Sequence, residues 1–463
     1  MKNIYIGVYM KVDQKYKRLI KLIFIFGITS MLIALYGWTW IGHYNKIIEF
    51  PFFRRGNWMM IFLYGVFLVL LMNTYGGYKV GYLKKGNLLY SQILAVIFTN
   101  VFTYLQISVL DKHFLSPAQL IKMTGFDFLV IVIWTLAYQW IYTKIFPPRK
   151  MLLISGRRSD YHLVEKINSR EDKYEICEII NIEKGIPSLE SEILKYDGVI
   201  IGDIESHERN LILKYCFANS IRTYNVPKVS DILLKSSVEL NLFDSPLLLS
   251  RNEGLTIEQE FLKRFIDITG SLAGIVLTSP FFLLIALCIK LTDKGPVFFK
   301  QSRLTKDNKL FDIYKFRTMI QEAEKDGVAR LAVEGDSRIL PIGHFLRRTR
   351  LDELPQLFNI LSGDMSFVGP RPERPELAEL IIREIPEFTY RTKVKAGLTG
   401  YAQIYGKYNT TSYDKLKLDL TYIRNYSFLL DLKLIVMTPK IMFMKEATEG
   451  VMPDTGKQRD EIL

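Results

Sequence analysis

Apolar positions gather at the front of this chain in long unbroken runs and then thin into short ones. Leu22 to Gly42, Gly56 to Tyr78 and Gly86 to Leu110 carry no charge. Crossing the hydrocarbon core of a bilayer takes about 20 apolar residues, so each run predicts a transmembrane helix. A fourth run, Phe128 to Thr143, reaches that length only with Asp127 and Lys144 in the headgroup layers, and a fourth span is expected there. An even number of spans returns both ends to one side. Lys2, Lys11, Lys15, Lys17, Arg18 and Lys21 precede the first run, and Lys144, Arg149 and Lys150 follow the last. Cationic flanks stay in the cytoplasm, so both ends are placed there; Lys46, Arg54 and Arg55 in the first external loop weaken that vote without reversing it. The first run lacks a small-residue cleavage site, so a cleavable signal is not expected.

Pro147-Pro148 ends the last run, because proline cannot continue a helix. Beyond it Met151 to Ser155, Tyr174 to Ile182 and Gly198 to Ile201 read as short apolar strands separated by polar helical stretches. That alternation predicts a small βαβ domain with a parallel sheet, fading near Leu247. After the first strand Ser155-Gly156-Arg157-Arg158 holds a single glycine, too few for a phosphate-cradling loop, so a structural or regulatory module is expected there.

A fifth apolar run, the 22 residues Ile268 to Ile289, is long enough to cross as well, and a straight span is the simple reading. Two features oppose it. Lys263 and Arg264 precede the run while Lys290, Lys294, Lys300, Arg303, Lys306 and Lys309 follow it, which puts both flanks in the cytoplasm. Ser279-Pro280 at its midpoint predicts a kink, with the Ser279 hydroxyl able to bond a carbonyl that the proline frees. The expected element is a re-entrant helix that dips into one leaflet and returns. Lys263, Arg264 and Asp267 at its start would meet lipid headgroups or merely anchor the helix.

Composition narrows the partners. Hydrophobic residues are 49%, and 61 Lys and Arg against 48 Asp and Glu leave a net charge of +13. No zinc-finger spacing or basic helix accompanies the charge, so nucleic acid is not an expected partner; anionic lipid and a phosphate-bearing substrate remain. Cys177, Cys216 and Cys288 are scattered, which makes neither a disulfide framework nor a metal cluster.

Unusual residues concentrate after Lys290. Gly295 to Arg303 (GPVFFKQSR) opens the region and Tyr314 to Met319 (YKFRTM) follows. Then come Arg347 to Leu357 (RRTRLDELPQL), Gly363 to Pro372 (GDMSFVGPRP) and Lys395 to Gly400 (KAGLTG). Residues from about Phe261 to Lys440 resemble the catalytic unit of the bacterial polyprenyl-phosphate sugar-1-phosphate transferases, the monotopic phosphoglycosyl transferases. The leading spans and the α/β domain look like the large form of that family, which starts capsule, O-antigen or exopolysaccharide repeat units. The fold so implied is an α/β membrane protein. It has four transmembrane helices (1–146), a degenerate Rossmann-like domain (147–247), a linker with the re-entrant helix (248–292) and a mainly helical cytoplasmic catalytic domain (293–463).

An Asp-Glu pair alone is usually a solvated helix start. Asp352-Glu353 lies among Arg347, Arg348 and Arg350, which would keep a carboxylate ionised and draw phosphate to it. The resemblance implies that Asp352 attacks the sugar-linked phosphate of a UDP-sugar and expels UMP. Undecaprenyl phosphate would then take the phospho-sugar from the aspartate. Glu353 would help hold Mg2+, an ion that takes one or two carboxylates plus substrate phosphates. By the same match Arg347 grips phosphate, and Arg371, set between Pro370 and Pro372, binds the nucleotide-sugar. Lys315, Arg317 and Thr318 are further candidates. Gly397, Thr399 and Gly400 are expected to shape a turn, Gln301 and Arg303 to face headgroups or substrate, and Gln321 to Ser337 to form a loop over the site. Leu416 to Lys440 reads equally as bilayer-surface helices or as core.

The resemblance implies a bacterial inner-membrane enzyme working on UDP-sugar, undecaprenyl phosphate and membrane lipids; the sugar and any homo-oligomer stay open. Three rivals compete with it. A polytopic transferase would put its motifs within the spans, and a metal-dependent glycosyltransferase would carry an Asp-X-Asp, which is not found. A catalytically inactive scaffold or regulator of polysaccharide assembly would not need Asp352, Glu353, Arg347 and Arg371 intact.

Overall fold

A computed structural model of the chain describes residues 16–156, 161–242, 244–250, 254–320, 336, 338–407 and 410–442. It divides into two compact units, Met1–Val226 and Pro227–Leu463.

The first unit opens with α1 (Tyr16–Thr39), α2 (Arg54–Tyr75), α3 (Lys85–Asp111) and α4 (Ala118–Ile145). Together with one helix of the second unit, these give the described residues five helices long and apolar enough to cross a membrane. On α1, Phe24, Ile28, Leu32 and Tyr36 recur at every fourth position and are buried, while Phe26 and Trp38 on other faces are about three-quarters exposed. Fourth-residue spacing stacks the buried set into one stripe. A helix that stays apolar on its outer face suits lipid rather than water.

Asp127 departs from expectation. Helix α4 begins nine residues before it, so the acid lies inside the bundle and is fully buried rather than in a headgroup layer. Asn100 donates to its Oδ2 (3.1 Å) and to Thr124 Oγ1 (2.8 Å), and Tyr64 donates to Asn100 Oδ1 (3.1 Å). A polar group in an apolar bundle is tolerated when a neighbouring helix bonds it, and Asn100 of α3, itself held by Tyr64 of α2, does so at Oδ2.

Four parallel strands follow, β1 (Arg149–Ser155), β2 (Tyr174–Asn181), β3 (Gly198–Ile201) and β4 (Arg222–Asn225), in the order β2-β1-β3-β4. The helices Tyr161–Asn168, Ile186–Ile193 and Ser206–Ala218 connect them. Central strands covered on both faces read as continuous apolar runs, as MLLI in β1 and VII in β3 do. A Cβ at Gly156 would lie 2.1 Å from the carbonyl oxygen of Asp203, so close backbone packing is what requires a glycine there. Residues 157–160, where a phosphate loop was sought, lie outside the described residues.

The second unit begins at Pro227 rather than near Leu247: Val229 and Ile232 already pack with its core residues Leu416, Leu420 and Leu434. Its first long element, α5 (Ile257–Asp293), starts at a capping box in which Thr256 and Gln259 bond each other's backbone amides. The expected break at Pro280 does not interrupt the helical conformation. Ser279 Oγ donates to the carbonyl of Val276 (2.8 Å), the acceptor that Pro280 leaves without its amide.

The rest of the unit packs along α5. A hairpin of β5 (Phe298–Leu304) and β6 (Leu310–Phe316) precedes α6 (Pro341–Thr349) and α7 (Gln356–Ser362). Then β7 (Met365–Val368) pairs in parallel with β8 (Ala396–Thr399), and α8 (Ser412–Arg424) and α9 (Phe428–Met442) close the core. Contact with α5 runs along both sides of the proline: Gly270 lies against Phe367, Gly274 against Leu357, Phe282 against Phe316 and Phe358, and Ile285 and Ile289 within a cluster with Phe316 and Leu346.

The polar start of α5 is engaged inside the protein. Lys263 is buried, its Nζ 2.7 Å from Asp431 Oδ2 and 3.0 Å from the Tyr422 hydroxyl. Arg264 donates to the carbonyls of Ile360 and Leu361 (both 2.7 Å), the cation-favouring end of α7. Asp267 accepts from Ser366 Oγ (3.0 Å) and the Phe367 amide (2.9 Å). Anchoring, not headgroup contact, is their use. Leu416, Leu420, Ile423 and Leu434 are likewise core, which decides the two readings of the C-terminal segment.

Candidate active site

The acidic pair is carried by a short 3-10 turn, Leu351–Glu353, directly after α6. Arg350 makes the bend with a left-handed backbone (φ 58°), an uncommon conformation for a residue with a Cβ. Leu351 and Leu354 on either side of the pair pack against the cluster of Ile285, Ile289, Phe316 and Leu346. Two leucines three apart hold the turn down on α5 and fix the direction of the carboxylates between them.

Glu353 is the hub of charge. Its Oε1 receives Lys315 Nζ at 2.9 Å and an Arg371 guanidinium nitrogen at 3.1 Å, with Arg350 at 3.6 Å. Lys315 reaches it from β6 and Arg371 from the loop after β7. Burial alone would raise the Glu353 carboxyl, but Lys315, Arg371 and Arg350 together hold it well below the usual range.

Asp352 behaves oppositely. It is 9% exposed, and its Oδ1 is buried without a hydrogen-bond partner. Burial first, then the negative charge of Glu353, push its carboxyl up to about 6, against the opposing pull of Lys315, Arg350 and Arg347. The sequence reading gave Arg347, Arg348 and Arg350 to Asp352; the structure turns Arg350, with Lys315 and Arg371, to Glu353. One carboxylate is locked as an anion and the other is poised near neutrality.

Arg347, on α6, donates from Nε to Thr318 Oγ1 (2.9 Å) and is near enough to Asp352 to act on its charge. Helix α6 starts with Pro341 in its first turn, and Gly343 sits so close to the Thr318 carbonyl that a Cβ would come within 2.2 Å of it. Arg317 is buried beside Thr318, whereas Arg348 is exposed. The segment expected to cover the site, Gln321 to Ser337, lies outside the described residues apart from Asp336.

Pro370 and Pro372 are buried and Arg371 between them is exposed. Gly369 donates its amide to Thr399 O, and Gly397 donates to Pro370 O, both at 2.9 Å. A Cβ on Gly397 would lie 2.0 Å from the Gly369 nitrogen, so this glycine answers close approach between two backbones rather than the turn first expected. Three residues, Arg391, Asp419 and Glu373, escaped the sequence reading. Arg391 is buried and bonds Asp419 (2.9 Å), Glu373 (3.2 Å) and the main-chain carbonyl of Arg371 (3.0 Å). Arg303 bonds the carbonyl of Pro372 (3.2 Å) and Gln301 (2.7 Å), so this pair supports the proline loop. The only signal was Glu373 following the motif; nothing in spacing brings Arg391 beneath it. Ser279 and Pro280 stay on α5, apart from this charged cluster.

Among the described residues no group of three or more His, Cys, Asp or Glu side chains could hold a metal alone. Magnesium nevertheless fits the pair. Asp352 offers an orphaned buried oxygen, and the three cation contacts of Glu353 all fall on Oε1. An ion there would take its remaining ligands from substrate phosphates and water, as magnesium ordinarily does.

Residues 258–445 match the family model described as bacterial sugar transferase. The chain is 36% identical over 259 residues to the UDP-N-acetylgalactosamine-undecaprenyl-phosphate N-acetylgalactosaminephosphotransferase of Aeromonas hydrophila, covering 53% of this chain and 58% of that one. It is 40% identical over 211 residues to the UDP-glucose:undecaprenyl-phosphate glucose-1-phosphate transferase of Escherichia coli K12, covering 44% of each. The chain therefore spans about half the length of such curated relatives. With the exopolysaccharide production protein PSS of Rhizobium leguminosarum bv. phaseoli it shares 41% identity over 198 residues, 41% of this chain and 96% of that protein. Nearly all of one relative is thus matched, and the family model covers every residue of the charged cluster: the chain belongs to the bacterial sugar transferase family.

Proposed function

We propose that the chain transfers a hexose-1-phosphate from a UDP-sugar to undecaprenyl phosphate, at the cytoplasmic face of the bacterial inner membrane, releasing UMP. The observation that carries this reading is the division of roles in the acidic pair: Glu353 clamped by three cations, Asp352 buried with a lone oxygen. The names of the relatives, which print both a UDP-sugar and undecaprenyl phosphate, support the substrates.

An oxygen of ionised Asp352 attacks the sugar-linked phosphorus of the donor, forming an acyl phosphate and breaking the bond to UMP, which leaves with the bond's electron pair. An oxygen of the lipid phosphate then attacks the same phosphorus and the aspartate departs as carboxylate, giving the lipid diphosphate sugar. Lys315, Arg350 and Arg371 hold positive charge where the diphosphate enters, and Arg347 adds a further cation beside Asp352. Magnesium, held by Glu353 with substrate oxygens, would supply neutralising charge.

Contacts on both sides of Pro280 support a re-entrant α5. One folded unit packs against residues from Lys263 to Ile289. A straight helix of 37 residues would be about 55 Å long and would carry one end across the bilayer, away from that unit. A helix bent within one leaflet keeps both ends, and the nucleophile between them, at the headgroups where soluble donor and lipid acceptor meet.

Purified protein, undecaprenyl phosphate and a panel of UDP-sugars scored for UMP test the reading. UMP together with lipid-linked sugar from at least one donor is expected; none from any donor would point to an inactive scaffold. The same assay has a pH signature. Only ionised Asp352 attacks, and its carboxyl is raised, so kcat/KM falls about tenfold per pH unit below about 6 and levels above it. A flat profile from about pH 5 to 7 would remove Asp352 from the role.

A further inference from the structure

Cationic side chains converge in the first unit where α1 meets the amino-terminal edge of the parallel sheet. Lys21 Nζ lies 4.1 Å from the centre of the Tyr82 ring, and Lys173 Nζ lies 4.5 Å from the same ring. Lys173 is also 5.0 Å from Tyr174, which meets Tyr224 edge-on, and Tyr224 accepts from Arg149 (3.4 Å). Lys17 lies 5.0 Å from Phe146 and 5.5 Å from Tyr142, at the end of α4. Arg149, Lys21, Arg222 and Lys173 are all close enough to Lys17 to repel it. Three of these cations stand at the starts of strands along one edge of the sheet: Arg149 opens β1, Lys173 precedes β2 and Arg222 opens β4.

Among the described residues, the contacts at the ammonium groups of Lys17, Lys21 and Lys173 are aromatic rings. The nearby acid, Asp172, is paired with Arg170 (2.9 Å), which also donates to the Tyr82 carbonyl. Half-buried like charges repel in proportion to their desolvation, so a fold that gathers them gains from an anion between them. Depth identifies its source. Lys17 and Lys21 sit on α1 just before its lipid-facing run, and on α4 Lys144 Nζ lies 3.8 Å over the Trp140 ring, an aromatic and cationic pairing suited to headgroup level. This edge is also opposite the carboxyl ends of the strands, where soluble ligands of parallel sheets bind.

We infer that Lys17, Lys21 and Lys173, walled by Tyr82, Tyr142, Phe146 and Tyr174, form a site for the phosphate headgroup of an anionic phospholipid. The bound lipid fastens the parallel-sheet domain to the four leading helices. The site is independent of the transferase reading, because its occupancy is read without turnover.

The test uses the full chain in nanodiscs of phosphatidylcholine, with or without phosphatidylglycerol. Phosphatidylglycerol should raise the Tm of the native protein and be retained on it in native mass spectra. Each basic residue at an anionic surface is worth about one kcal/mol, so Lys21→Gln with Lys173→Gln should weaken retention by about tenfold or more and cancel the Tm shift. Lys122→Gln with Lys214→Gln, the same charge loss on exposed positions, should leave both readouts intact. Lys21→Arg with Lys173→Arg should keep the response, and its loss there with the Tm in pure phosphatidylcholine unchanged would overturn the inference. Equal retention by native protein and the Lys21→Gln, Lys173→Gln variant would also overturn it. So would inorganic phosphate or UMP reproducing the Tm shift in pure phosphatidylcholine, which would assign the cations to a soluble phosphate.

Discussion

Replacing Asp352 by asparagine should abolish UMP release, with a loss of at least about 10³-fold, while leaving the fold intact. Asparagine keeps the shape of the side chain and removes the charge that, in the proposed mechanism, attacks phosphorus. The position tolerates a neutral group, since burial and Glu353 already disfavour the ionised form. Oδ1 has no hydrogen bond to lose. Activity and stability should therefore separate. The measurement pairs UMP release with thermal unfolding, and with a search for sugar-phosphate bound to the protein when undecaprenyl phosphate is withheld. Label should stay on the native chain and be absent from the variant. More than a tenth of native activity in Asp352→Asn would end the proposal of a covalent aspartyl intermediate.

The second large effect lies at the start of α5. Lys263 and Asp431 are both less than a tenth exposed at the side chain, and Tyr422 donates to the other oxygen of Asp431 (2.7 Å). Removing one member of such a pair leaves an uncompensated buried charge, which costs about 3–5 kcal/mol. Lys263→Met should lower stability by that amount, read as a fall in the denaturation midpoint in detergent micelles. Adding Asp431→Leu removes the stranded carboxylate and should return much of the loss. If the double variant is no more stable than Lys263→Met, the pair is not the source of the effect.

The sequence revealed the elements more readily than their contacts. Apolar runs of membrane length announced five helices because the bilayer imposes a length and forbids charge on the outer face. The strands around Leu152 and Val199 showed for a similar reason, as burial on both faces leaves a continuous apolar run. Asp127 could not be placed from its neighbours in sequence; its partner Asn100, and the Tyr64 that holds Asn100, come from two other helices. Lys263 read equally as a headgroup contact or an anchor for the same reason, since Asp431 follows it at a separation of 168 residues. The acidic pair was legible as a pair, but not as an unequal one. That inequality depends on which carboxylate Lys315 and Arg371 can reach, a matter of the turn at Arg350. Arg391 was invisible because it reaches the motif through a peptide carbonyl, and motif chemistry speaks only of side chains.

That last contact has a consequence for change over time. Arg391 holds the course of the chain at position 371 without touching the guanidinium that projects from it. The loop's path is then insensitive to which side chain stands there, so a lineage can exchange that one group without first rebuilding the support underneath.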